Sequence, residues 1–145
     1  MGKNEVKSLS RFLDAQKNVY EKALGEIRMG SKSSHWMWFI FPQIKGLGKS
    51  DIAEYYSIEN LDEAKAYLSN DILRERLLEI SEALLNLESN DPTVILGFPD
   101  DLKLKSSMTL FALADPSYHI FQAVLDKFYD GKQDTATRKI VLLCA

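Results

Sequence analysis

The run ILRERLLEISEALLNLE, Ile72 to Glu88, carries Leu73, Leu77, Ile80, Leu84 and Leu87 at alternating intervals of four and three. An α-helix turns once every 3.6 residues, so side chains at this spacing share one stripe while the charges between them fall on the solvated side. A half-buried strand would need alternation with a period of two, which the run lacks. The segment therefore reads as a long amphipathic helix, and the same repeat recurs on both sides of it.

Upstream, SLSRFLDAQKNVYEKALGEIRMG sets Leu9, Phe12, Leu13, Gln16, Tyr20, Ala23, Leu24 and Ile27 on one stripe, predicting a single helix between a Ser8 cap and a Gly30 stop. Gln16 is the odd member, because a buried amide without partners costs about 1–3 kcal/mol. It is expected to satisfy nearby backbone groups. Asn60 and Glu63 form an Asn variant of the capping box ahead of LDEAKAYLSN, and Ser50 reads as a further helix start. DPTVILGFPDD, capped by Asp91, opened by Pro92 and broken by Gly97 and Pro99, reads as one helical turn. DLKLKSSMTLFALA repeats Leu104, Met108 and Phe111. Asp115-Pro116 ends that helix and starts the next, SYHIFQAVLDKFYDG, and Asp134 caps a last one through Leu143. The expected fold class is all-α: residues 1–145 as one compact multi-helix bundle of about six to eight helices with little or no sheet.

At 145 residues, 46% hydrophobic and 27% charged, the chain has the composition of a folded globular domain and no low-complexity tract or internal repeat. Cys144 is the only cysteine, so no intrachain disulfide forms. With His35 and His119 as the only histidines there is no zinc set, and no metal or cofactor is expected. A reducing, cytoplasmic setting fits. MGKNEVKSLS lacks an apolar signal core, Val6 stands where a myristoylation motif wants Ser or Thr, and the longest apolar run is Trp36 to Phe41, so no membrane association is expected.

Candidate chemistry concentrates in SHWMWFIFPQIKGLGKS, Ser34 to Ser50. From Ile27 to Ser50 there is no Asp or Glu but Arg28, Lys32, Lys45 and Lys49 are present, and the net charge of −3 leaves −7 for the rest of the chain. Lysines, Gly46 and Gly48 in a loop, and a helix start at Ser50 make a candidate anion site, since free N–H groups favour a phosphate or carboxylate. Trp36 and Trp38 beside it could stack on a ring, or could be core, because aromatics bury more area than any other side chains. His35 opens the run at its polar edge and is the first candidate for acid–base work, with Gln43 as an orienting group.

Three tempting motifs fail. GLGKS matches only the end of the phosphate-binding loop GxxxxGK[ST]: its first glycine would fall at Gln43, and no strand precedes it. Lys103, Ser106 and Ser107 lie within a turn of one another, but S-x-x-K is reversed, and such hydroxyls more often bond to carbonyls of the preceding turn. Cys144 reads as a small buried hydrophobe.

The block KSSHWMWFIFPQIKGLGKS, Lys32 to Ser50, resembles the signature of the bacterial family catalogued as domain of unknown function 1810, mislabelled calpastatin in places. RFLDAQ (Arg11 to Gln16), EAKAYL (Glu63 to Leu68), RERL (Arg74 to Leu77) and DDLKLKSSMTLF (Asp100 to Phe111) resemble it in the same order. The resemblance covers nearly the whole chain. It implies a compact, mainly helical domain and picks out His35, Trp36, Trp38, Pro42, Gln43, Gly46, Gly48 and Ser50, with Lys103, Ser106, Ser107 and Thr109, attaching a role to none. Calpastatin-like inhibition does not fit a folded, hydrophobic-rich chain.

The expected function is therefore a small-molecule site where the aromatic segment and the Gln43 to Ser50 loop meet the polar face of the Lys103 to Thr109 helix. It would take an anionic, ring-bearing, nucleotide-like ligand, with hydrolysis favoured over redox chemistry because no dinucleotide fingerprint is present. The rival is a protein-interaction module with the aromatic segment as anchor. Nucleic acid is the weaker third choice, given the net charge of −3.

Overall fold

The computed structural model describes residues 8–143, so Cys144 and the N-terminal segment lie outside the described residues. Ten helices follow in order: α1 Ser10–Gln16, α2 Tyr20–Arg28, α3 Met37–Ile40, α4 Asp51–Tyr55, α5 Leu61–Ser69, α6 Asp71–Leu85, α7 Pro92–Leu96, α8 Asp100–Ala114, α9 His119–Tyr129 and α10 Thr135–Leu143. The fold is all-α. Seven helices have seven or more residues, and α3, α4 and α7 are turns of four or five. Among the described residues, extended pairing is limited to one parallel bridge, Ile44 with Ile58.

The Leu73 to Leu84 stripe lies on α6: Leu73, Leu77, Ile80 and Leu84 are buried, and Asn70 caps the helix by accepting from the Ile72 and Leu73 amides. Helix α6 packs on α2, α5 and α9. Helix α8 is the central element, packed against α5, α7, α9 and α10 and buried continuously from Ser106 to Phe111. Its polar members lie inside because neighbouring helices surround it.

The single helix expected across residues 8–30 is two helices, broken at residues 17–19. Asn18 and the β-branched Val19 are weak helix formers. The apolar stripe continues through the break without losing phase, so periodicity carries no trace of it. Gln16, at the end of α1, donates from Nε2 to the Phe39 carbonyl (2.7 Å) and to the Tyr67 hydroxyl (3.1 Å), and its Oε1 accepts from Arg76 (3.3 Å). The backbone contact is the one expected for a buried amide.

Arg11 makes the second internal polar contact. It pairs with both Glu63 oxygens at 3.2 Å and donates to the Ser57 (2.8 Å) and Tyr55 (2.9 Å) carbonyls. The segments RFLDAQ, EAKAYL and RERL thus meet in space, with their polar residues holding α1, α5 and α6 to the 39–57 region. No helix among the described residues is long and apolar enough to cross a membrane.

Candidate functional site

The aromatic segment is positioned by one carboxylate. Glu26, on the outer side of α2, accepts from the Ser33 amide (2.8 Å), the Ser34 amide (3.1 Å), the Ser34 hydroxyl (2.6 Å) and the Trp36 indole N–H (2.9 Å). Burial raises its pKa, but these hydrogen bonds stabilise the anion more and hold it at about 2. The Lys32 amide donates to the Ile95 carbonyl (2.8 Å), tying the same loop to α7. With the loop fixed this way, Trp36 turns fully into the core, His35 points outward, and Trp38 is left half-buried.

Facing this segment is the turn between α7 and α8. Gly97, at φ +81°, ends α7 in a conformation that L side chains resist, and the chain continues through Phe98 and Pro99 into α8. Between the two lies a cleft of about 250 Å³ lined by Lys32, His35, Met37, Trp38, Phe98, Pro99 and Asp100. Asp100 accepts from Lys32 Nζ at 2.8 Å and lies 3.4 Å from Lys103 Nζ. Lys103 in turn sits over the Trp38 ring, 5.1 Å from its centroid. Lys32 and Asp100 line the cleft together with Trp38 and Phe98, the last 75% exposed, and Lys103 stands beside it.

Of the residues named from sequence, His35, Trp38 and Lys103 come together here. Trp36 lies beneath them, 0% exposed, with no ring face open to a ligand. The Gln43 to Ser50 loop does not line the cleft. Gln43 is half-buried and joins Ile58 through its carbonyl (2.8 Å), and Lys45 pairs with Glu59 (3.2 Å). Gly46 packs beside Ile140 and Gly48 against Ala53, while the Ser50 hydroxyl accepts from the Ala53 amide. Lys49 is exposed. On α8, Ser106 donates to the Leu102 carbonyl (3.2 Å), whereas the Ser107 hydroxyl is buried and has no partner among the described residues.

The acid-free stretch is not a basic patch in three dimensions. Lys32 finds Asp100, Lys45 finds Glu59, and Arg28 lies 3.9 Å from Glu79. Those carboxylates come from elsewhere in the chain, so a local charge count misses them. Met37, Phe98, Pro99 and Asp100 are the lining residues that sequence reasoning passed over as site residues; an aromatic placed between Gly97 and Pro99 in a turn was the one visible signal.

The His35 ring has no hydrogen-bond partner among the described residues, and Asp100 is already engaged by two lysines, so no His–carboxylate pair forms. Among the described residues no group of three or more His, Cys, Asp or Glu side chains could hold a metal. The lining thus presents an indole, a phenyl ring and an imidazole, with the Lys103 ammonium beside them.

No curated protein matches the chain. A solved structure does: the conserved hypothetical protein Rv1873 from Mycobacterium tuberculosis is 45% identical, with a TM-score of 0.92, covering 94% of this chain and 97% of that one. A family model described as "Protein of unknown function (DUF1810)" matches residues 6–141. The chain belongs to that family.

Proposed function

We propose that the cleft between residues 32–38 and 98–103 binds a small, anionic, ring-bearing molecule of nucleotide type in the cytoplasm. The observation that carries this reading is the meeting of His35, Trp38 and Phe98 around one cavity of about 250 Å³, with Lys103 beside it, over the Trp38 ring. The volume lies just below the ~300–1,000 Å³ usual for small-molecule pockets, which suits a small ligand rather than an extended cofactor. The ring lies against Phe98 and Trp38, the anionic group meets Lys103, and His35 is the imidazole in the lining available as a general acid or base. If the bound molecule is turned over, hydrolysis assisted by His35 is the reaction these side chains suit.

A thermal-shift screen of nucleotides and sugar phosphates tests it. A ligand at a hundred times its dissociation constant stabilises by about 2.7 kcal/mol, a rise of roughly 5–10 °C in a domain of this size. Phe98→Ala and Lys103→Ala should each reduce the shift; Phe98 is too exposed for its loss to disturb the core. A library without any shift, or a shift indifferent to both substitutions, rules the cleft out.

A second reading has its own support. Met29, Val94, Phe98 and Leu102 are all large, apolar and more than half exposed, and they lie on the α2 end, α7, the following turn and α8. A protein partner covering Phe98 would use the same turn as an anchor. In that case Phe98→Ala weakens a protein complex and leaves small-molecule shifts absent.

A further inference from the structure

We infer a second site, for a small phosphorylated anion, in an open depression of about 490 Å³ where α8, α9 and the start of α10 converge. Its lining brings together Lys105, Lys132 and Arg138 with the amides of Gln122 and Gln133. None of the three cations forms an ion pair with a carboxylate among the described residues. This sets them apart from the cations of the acid-free stretch, three of which have acidic partners.

Unpaired positive charges that face one concavity repel one another and are relieved by an anion. The arrangement is also held in place. Arg138 donates from one N–H to Gln133 Oε1 (2.5 Å), Gln133 Nε2 donates to Gln122 Oε1 (3.1 Å), and Gln122 Nε2 donates to the Gly131 carbonyl (3.0 Å) and to Asp126 (3.1 Å). This chain of amides aims the guanidinium and leaves its remaining donors free; a guanidinium fork matches phosphate oxygens. Lys105 is steadied over the Tyr129 ring, 5.9 Å from its centroid. The α10 N-terminus is already capped, since Asp134 accepts from the Thr137 amide (2.9 Å) and hydroxyl (2.6 Å).

Size and charge select the ligand class. Three cations around one open depression suit one or two phosphate groups, whereas the chain's net charge of −3 opposes an extended polyanion such as nucleic acid. The site is separate from the Trp38 cleft: Lys103 and Lys105 lie two residues apart on α8, so they project about 200° apart around its axis and serve opposite flanks.

Inorganic pyrophosphate is the probe, followed by amide resonances in two-dimensional NMR of the whole protein. The expected result is saturable shifts at residues 131–138 and at Lys105, weakening as salt is added. Lys132→Glu and Arg138→Glu, both at exposed positions, should each cut affinity by roughly tenfold or more, the loss of one charge-assisted contact. Lys103→Ala should leave pyrophosphate binding unchanged, which separates this site from the cleft. Absent shifts, shifts unaffected by both charge reversals, or tighter binding of a single-stranded homopolymer RNA than of pyrophosphate would each overturn the inference.

Discussion

Glu26 shows how much one side chain organises. Four hydrogen bonds to its carboxylate fold the 33–36 loop and turn Trp36 inward. Glu26→Gln keeps the shape but removes the charge, and an expected loss of about 1–3 kcal/mol follows from weakened charge-assisted bonds. The pH dependence has a definite sign. A carboxyl held at about 2 in the fold, against its ordinary 4.5, binds its proton first in the unfolded chain. Its contribution is complete above 4.5 and is lost as pH falls towards 2. Urea titrations of wild type and Glu26→Gln should therefore differ most at neutral pH and converge through that window; a difference constant with pH would contradict the assignment. Ser107 makes the opposite case. Its buried hydroxyl lacks a partner, so Ser107→Ala should be neutral or stabilise by about 1 kcal/mol. A clear destabilisation would mean that the hydroxyl has a role.

At the scale of elements, Gly48 is required by helix packing. A Cβ there would stand 2.5 Å from Ala53 Cβ, so Gly48→Ala must push α4 away and is expected to cost about 1–3 kcal/mol, measurable as a fall in the urea midpoint. An unchanged midpoint would show that the loop is slack. This bears on what the sequence could convey. The spacing of Leu73, Leu77, Ile80 and Leu84, and the caps at Asn60, Asp91 and Asp134, were legible because helix period and capping are local properties. The break at residues 17–19 was not, since the stripe stays in phase across it. Gly46 and Gly48, with Ser50, read equally well as a phosphate loop and as a tight corner, and local composition does not separate a glycine needed for a ligand from one needed for a neighbouring helix. Gly46, at φ +106°, and Gly48 both have structural reasons to be glycine.

Over the whole molecule, the cations of the acid-free stretch find their carboxylates far along the chain, and this is one reason why part of the candidate site was legible and part was not. His35, Trp38 and Lys103 were found because unusual residue types mark them; the partners that convert them into a cleft, Phe98 and Asp100, are ordinary residues brought there by the α7–α8 turn. The same long-range pairing removes Lys45 from contention and leaves Lys105, Lys132 and Arg138 as a positive cluster without carboxylate partners among the described residues. The central claim is that the cleft beside Trp38 takes a ring-bearing anion, and the two tryptophans of the chain provide an internal control for it. Each gives one indole N–H resonance: Trp36 is sealed in the core and bonded to Glu26, while Trp38 lines the cleft. On titration with the nucleotide that gives the largest thermal shift, the account predicts that the Trp38 resonance moves saturably and the Trp36 resonance stays nearly still. A Trp38 resonance that does not respond, while resonances elsewhere in the protein do, would contradict it.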